Sequence, residues 1–161
     1  MAKRMLVVLA VLSGCPSARP VSGSWRVGLN QVFFETAEVE PSFGGLYLDG
    51  ETVVLLGTEP SREPQVRAAV ADLLLSSHLE TRASTFVVSR FSWLDLDFAA
   101  ATALSHCFEG GIGDLDLDER ANRVVVGVHR GRESIVSACL LREVPNAEVF
   151  VMREFVETEQ R

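Results

Sequence analysis

No lysine follows Lys3 in this 161-residue chain, so every later positive charge is an arginine. That bias marks a GC-rich genome before it marks any chemistry. Positive charge is scarce altogether: 15 Lys and Arg against 22 Asp and Glu leave a formal charge of −7. A nucleic-acid partner is thereby excluded, because phosphates demand a basic footprint. No apolar run approaches the roughly 20 residues that a membrane-spanning helix needs. There is no Gly-x-Ser-x-Gly elbow, no Gly-Asp-Ser-Gly-Gly nucleophile setting, and no phosphate-cradling glycine loop ahead of a helix. The only histidines are His78, His106 and His129, and none has a partner at metal-ligand spacing, so surface or capping roles are expected of them. No enzyme activity and no cofactor are expected. What remains, 47% hydrophobic and 23% charged residues, is an ordinary globular composition. The length fits one domain, or two small halves sharing a core.

The first residues carry an address. Lys3 and Arg4 precede an uninterrupted apolar run at 5–12, too short to span a bilayer but suited to an export leader. It ends in Leu12-Ser13-Gly14-Cys15, which resembles the bacterial lipobox. In that motif small residues give a peptidase access, and the cysteine thiol takes a diacylglycerol before cleavage. The resemblance implies a signal peptide at 1–14 and a mature chain starting at lipidated Cys15. Stable anchoring takes more than one acyl chain. It also implies an exported, membrane-anchored protein on the periplasmic side. Pro16, standing where an inner-membrane retention signal has aspartate, favours the outer membrane. Residues 15–30 then read as the lipidated cysteine and a tether, rich in Pro, Ser and Gly at 16–24.

Residues 31–157 read as an α+β domain. A short strand is expected at 31–34. Leu46 and Leu48 alternate with Tyr47 and Asp49, Asp49-Gly50 signals a hairpin, and 52–56 is a buried strand. A helix over 65–78 would place Val66, Val70, Leu73 and Leu74 on one face, and 85–89 is a strand. A second helix, 92–108, starts at Ser92 as N-cap and presents Leu94, Phe98, Ala101, Leu104 and Phe108 to the core. Strands at 113–118 and 123–128, a helix at 132–142 and a strand at 148–152 follow. Leu46, Leu48 and Asp49 correspond to Leu115, Leu117 and Asp118, and 52–56 corresponds to 123–127. The domain is therefore expected as two β-hairpin–helix–strand units, 43–90 and 110–152, joined by a helix, with antiparallel sheets covered by helices.

Few side chains suggest chemistry. Asp114, Asp116 and Asp118 line one strand face, with Asp95 and Asp97 upstream, and are the weak metal candidates; an envelope hydrolase using a metal on that stripe is the alternative function. An EF-hand beginning at Asp114 fails, because Glu119 and Val125 stand where glycine and glutamate belong. With Cys15 lipidated, Cys107 and Cys139 remain as a pair, open to a disulfide or to two buried thiols. Arg130 and Arg132 at a helix start could hold an anion.

Phe43-Gly44-Gly45-Leu46-Tyr47-Leu48-Asp49 and the hairpin Asp118-Glu119-Arg120-Ala121-Asn122-Arg123-Val124-Val125-Val126-Gly127-Val128 resemble stretches in the pro-regions of streptogrisin and α-lytic type serine proteases. The likeness, completed by Pro145 before the last strand, spans 43–152. It implies a fold that holds a protease or peptide edge against its sheet, acting as chaperone or inhibitor. The chain departs from that family in having no protease domain before its end at Arg161. The expectation is a lipid-anchored, non-enzymatic envelope protein that binds a separate protein or peptide; a structural lipoprotein without a dedicated ligand is the plainest alternative.

Overall fold

The computed structural model describes residues 29–156; Cys15, the proposed leader and the tether as far as residue 28 lie outside them, and Leu29 and Asn30, expected at the end of the tether, belong to the first helix. Helix α1 (Leu29–Val39) comes first, where 31–34 was expected to be a strand. The β-branched and aromatic run is overruled by spacing. Phe33, Thr36 and Ala37 recur at three and four residues and all three are buried. Gln31 donates to Glu35 one turn on, at 2.7 Å. Pro41, which disfavours helical geometry at the residue before it, stops the helix.

The two expected units are built on one register. Strands β1 (Phe43–Asp49) and β2 (Thr52–Gly57) form an antiparallel hairpin. Helices α2 (Glu63–Ala69) and α3 (Ala71–Ser76) cross over to β3 (Ser84–Val88), which pairs in parallel with β2. After α4 (Trp93–Cys107) the pattern recurs. Strands β4 (Ile112–Asp118) and β5 (Arg123–Val128) are antiparallel, α5 (Glu133–Glu143) crosses over, and β6 (Phe150–Glu154) lies parallel to β5. Phe43 faces Gly57 as Ile112 faces Val128, and both hairpins slip register at the next residue, Gly44 or Gly113. The closing bonds match too: Ser89 N–H donates to Gly57 at 2.9 Å and Phe155 N–H to Val128 at 2.8 Å. The protein is α+β, with two three-stranded sheets in the orders β1-β2-β3 and β4-β5-β6. Each sheet is antiparallel in its hairpin and parallel at its third strand, because a helical crossover returns the chain in the same direction.

Apolar residues from both units and the linking helix form one core. In α2 and α3 the expected face is realised, with Val66 and Val70 fully buried and Leu73 and Leu74 half-buried. The helix breaks at Val70, which is shared by the two segments.

For α4 the expected face was wrong. Phe98 and Phe108 are 57% and 55% exposed, and Leu94, Ala101 and Leu104 only half-buried. The buried face is Trp93, Leu96, Ala99, Ala100, Ala103 and Cys107. Asp95, Thr102, Ser105 and His106 fall in one sector and mark the solvent side, with Phe98 among them. The buried side carries small alanines, which let the backbone come close to α1, α5 and the strands β1, β4 and β5. Ser92 is the N-cap as expected, in a capping box with Asp95: its Oγ accepts from Asp95 N–H at 3.2 Å and Asp95 accepts from Ser92 N–H at 3.0 Å. Among the described residues no helix is long and apolar enough to cross a membrane.

Candidate functional surface

The aspartate stripe sits on β4 as expected, yet its carboxylates are engaged locally. Asp114 accepts from Arg153 of β6 at 2.7 Å, across Gly127, whose missing side chain leaves the room that carboxylate fills. Asp116 accepts from the adjoining Leu117 N–H, and Asp118 caps the hairpin turn by accepting from Ala121 N–H at 2.8 Å. Among the described residues no set of three His, Cys, Asp or Glu side chains is placed to hold a metal ion. Burial, and secondarily the charges of Asp116 and Asp118, push the neighbouring Glu119 carboxyl above its ordinary range, against a backbone hydrogen bond that lowers it.

Of the alternatives for Cys107 and Cys139, the structure has the disulfide, with Cα atoms 5.8 Å apart, and it ties α4 to α5. His106 beside it is exposed. His129 packs edge-on against Phe155, and His78 is an exposed residue with φ of 57°, turning the chain after α3. At the start of α5 the groups expected to hold an anion are engaged within the chain: Glu133 accepts from Gly131 N–H at 3.2 Å, Arg130 donates to Glu154 at 2.8 Å, and the Arg132 side chain lies over Gly111.

Two polar clusters carry no local sequence signal of their role. Glu40 is buried and accepts from the Arg62 guanidinium at 3.2 and 2.6 Å and from Ser42 Oγ at 2.7 Å. Burial alone would raise its carboxyl; the hydrogen bonds from Arg62 and Ser42, with the arginine charge, more than offset this and hold it below the ordinary range. Asn122 is buried with φ of 51°. Its Oδ1 accepts from Phe91 N–H at 2.8 Å, and its Nδ2 donates to Phe91 O at 3.0 Å and to Gly44 O at 3.3 Å. One side chain thus fastens the second hairpin to the first strand and to the linker.

A half-open cleft of about 390 Å³ lies where the end of the first unit meets α4 and the loop after α5, lined by Arg90, Phe91, Phe98, Val144 and Asn146 among others. Its polar groups do not converge: Arg90 pairs with Glu148, Asp95 belongs to the capping box, and Asn146 accepts from Glu148 N–H. β3 and β6 are exposed along nearly their whole length, including Val87, Val88, Val151 and Met152. No protein-family model matches the chain, and no curated protein matches it.

Proposed function

We propose that this is a lipid-anchored protein of the bacterial envelope, non-enzymatic, whose domain binds another protein or peptide through its sheets. The observation that carries the binding part is the exposure of the outer strand of each sheet. Monomeric proteins usually cover or guard such strands, and an open one accepts an added strand. The local engagement of Asp114, Asp116 and Asp118 supports a surface for recognition over a catalytic one. The anchor rests on Leu12-Ser13-Gly14-Cys15 after the apolar run. The likeness to protease pro-regions narrows the partner to an exported serine protease, which the domain would chaperone or inhibit.

Affinity capture from envelope extracts, with and without calcium, tests the partner. Recovery of a serine protease whose activity falls on adding the protein supports the reading, and no enriched protein counts against it. For the anchor, Cys15→Ala is expected to release the protein from membranes and leave its precursor uncleaved. Unchanged membrane fractionation would sink that part.

A further inference from the structure

We propose that the free edge of β3 is a docking edge for an extended segment of another protein, one of uncharged strand-forming residues with carboxylates at its ends. This rests on the sheet-mediated binding proposed above and narrows it to one edge and one partner chemistry. β3 pairs with β2 on one side only. Val53 N–H donates to Ala83 O and Ser89 N–H to Gly57 O, so positions 83, 85, 87 and 89 make the parallel ladder. Alternation then turns the backbone N–H and C=O of Ser84, Phe86 and Val88 away from the sheet. No strand among the described residues takes them up. A row of backbone donors and acceptors at strand spacing is complementary to another extended backbone.

The equivalent edge in the second unit has the same geometry and a different surface. β6 presents Phe150, Met152 and Glu154 outwards by the same alternation, since Phe155 N–H donates to Val128 O. It carries Arg153 and Glu154, held by Asp114 and Arg130. Charges on an outer strand are how sheets discourage edge pairing. β3, Ser-Thr-Phe-Val-Val, has no charge, proline or glycine, and Val88 is 56% exposed.

The charges beyond its ends choose the partner. Arg82 precedes β3, Arg90 follows it, and Arg67 donates to Ser84 Oγ at 2.7 Å. Their carboxylate partners are Glu51, Glu148 and Glu63; the Arg90–Glu148 pair is exposed on both sides and the other two are partly exposed, so incoming carboxylates can replace them. A second copy of β3 laid antiparallel about Phe86 would set Arg82 opposite Arg90, a like-charge pairing. An acid-ended strand meets opposite charge at both ends.

The test uses the full-length chain in detergent and two fluorescein-labelled peptides, Asp-Glu-Thr-Val-Val-Thr-Val-Glu-Asp and the same core with lysines at its ends, read by anisotropy. The acid-ended peptide is expected to bind at least tenfold more tightly. Val88→Pro removes one outward N–H and none of the bonds to β2, and should weaken binding at least tenfold; Glu154→Pro, its counterpart on β6, should leave it unchanged. The double variant Arg82→Glu/Arg90→Glu, which keeps the backbone intact, should reverse the preference between peptides. Binding lost with Glu154→Pro and kept with Val88→Pro overturns the assignment to β3 while leaving the broader sheet reading in place. Absence of binding, or binding indifferent to both prolines and to charge reversal, overturns the inference. So does a concentration-dependent dimer in sedimentation that Val88→Pro abolishes, since the edge would then belong to a second copy.

Discussion

Unit one (43–90) and unit two (110–152) share strand order, bulge position and closing hydrogen bonds, and differ in what holds each to the common helix α4. The first is held by rings: Phe33 of α1 meets Phe43 of β1 edge-on at 5.6 Å and Trp93 of α4 edge-on at 4.9 Å. The second is held by a covalent bond between α4 and α5. The same contrast appears in the strand rows. Where unit one has Gly45–Leu56–Val87, unit two has Asp114–Gly127–Arg153, so a buried leucine in one corresponds to an ion pair laid over a glycine in the other. A repeated fold therefore specifies backbone register and leaves the means of fastening free.

If the rings hold unit one, Phe33→Ala should cost about 3–5 kcal/mol, the usual range for emptying a fully buried aromatic site. Urea unfolding would read it, and a loss below about 1 kcal/mol would show that α1 is an accessory to the core. Cys107→Ala with Cys139→Ala tests the other fastening. A bond closing a separation of 32 residues restrains the unfolded chain by about 3–4 kcal/mol. Amide exchange should then quicken in α5 before it does in α2. Equal quickening would show that the two units open together.

These two fastenings were unequally legible in the sequence. The hairpins, the crossover helices and the internal repeat could be read because each is written in local periodicity and turn residues, as in Leu46, Leu48 and Asp49. The cysteine pair was visible as a pair, but its bonding depends on a distance between helices. The position of α1 was misread because a short run such as Val32-Phe33-Phe34 suits a strand until Thr36 and Ala37 are counted with it. The buried face of α4 was misread because Phe98 and Phe108 are large and the alanines that stand in the core instead, Ala99, Ala100 and Ala103, are small, although Asp95, Ser105 and His106 mark the solvent side. Glu40 and Arg62 lie 22 residues apart, and nothing local announces that they meet.

Asn122 joins the units, and its substitution should weaken both together. Asn122→Ala leaves buried backbone groups of Phe91 and Gly44 without this partner and puts alanine at a positive φ. A loss of about 1–3 kcal/mol is expected, with no change of relative exchange between α2 and α5. A loss confined to one unit would break the idea of a joint.

The smallest effects concern pH, and there the two units should respond with opposite sign. Glu40, beside the first unit, has its carboxyl held below the ordinary range. Its contribution to stability is complete above the ordinary carboxylate pKa and disappears as pH falls through its lowered folded value. Glu119, at the turn of the second unit, has its carboxyl raised. Its charged form is disfavoured by folding, so its cost is absent below the ordinary pKa and accumulates as pH rises through the raised one. Urea midpoints measured from about pH 3 to about pH 7 should therefore separate the variants. Glu40→Gln should flatten the acid-side loss and be less stable than the wild type at neutral pH, because Arg62 loses its buried counter-charge. Glu119→Gln should be slightly more stable than the wild type at neutral pH, the gain vanishing in acid. Curves for Glu119→Gln that parallel the wild type at every pH would mean that the turn stays hydrated enough to hold its charge without cost.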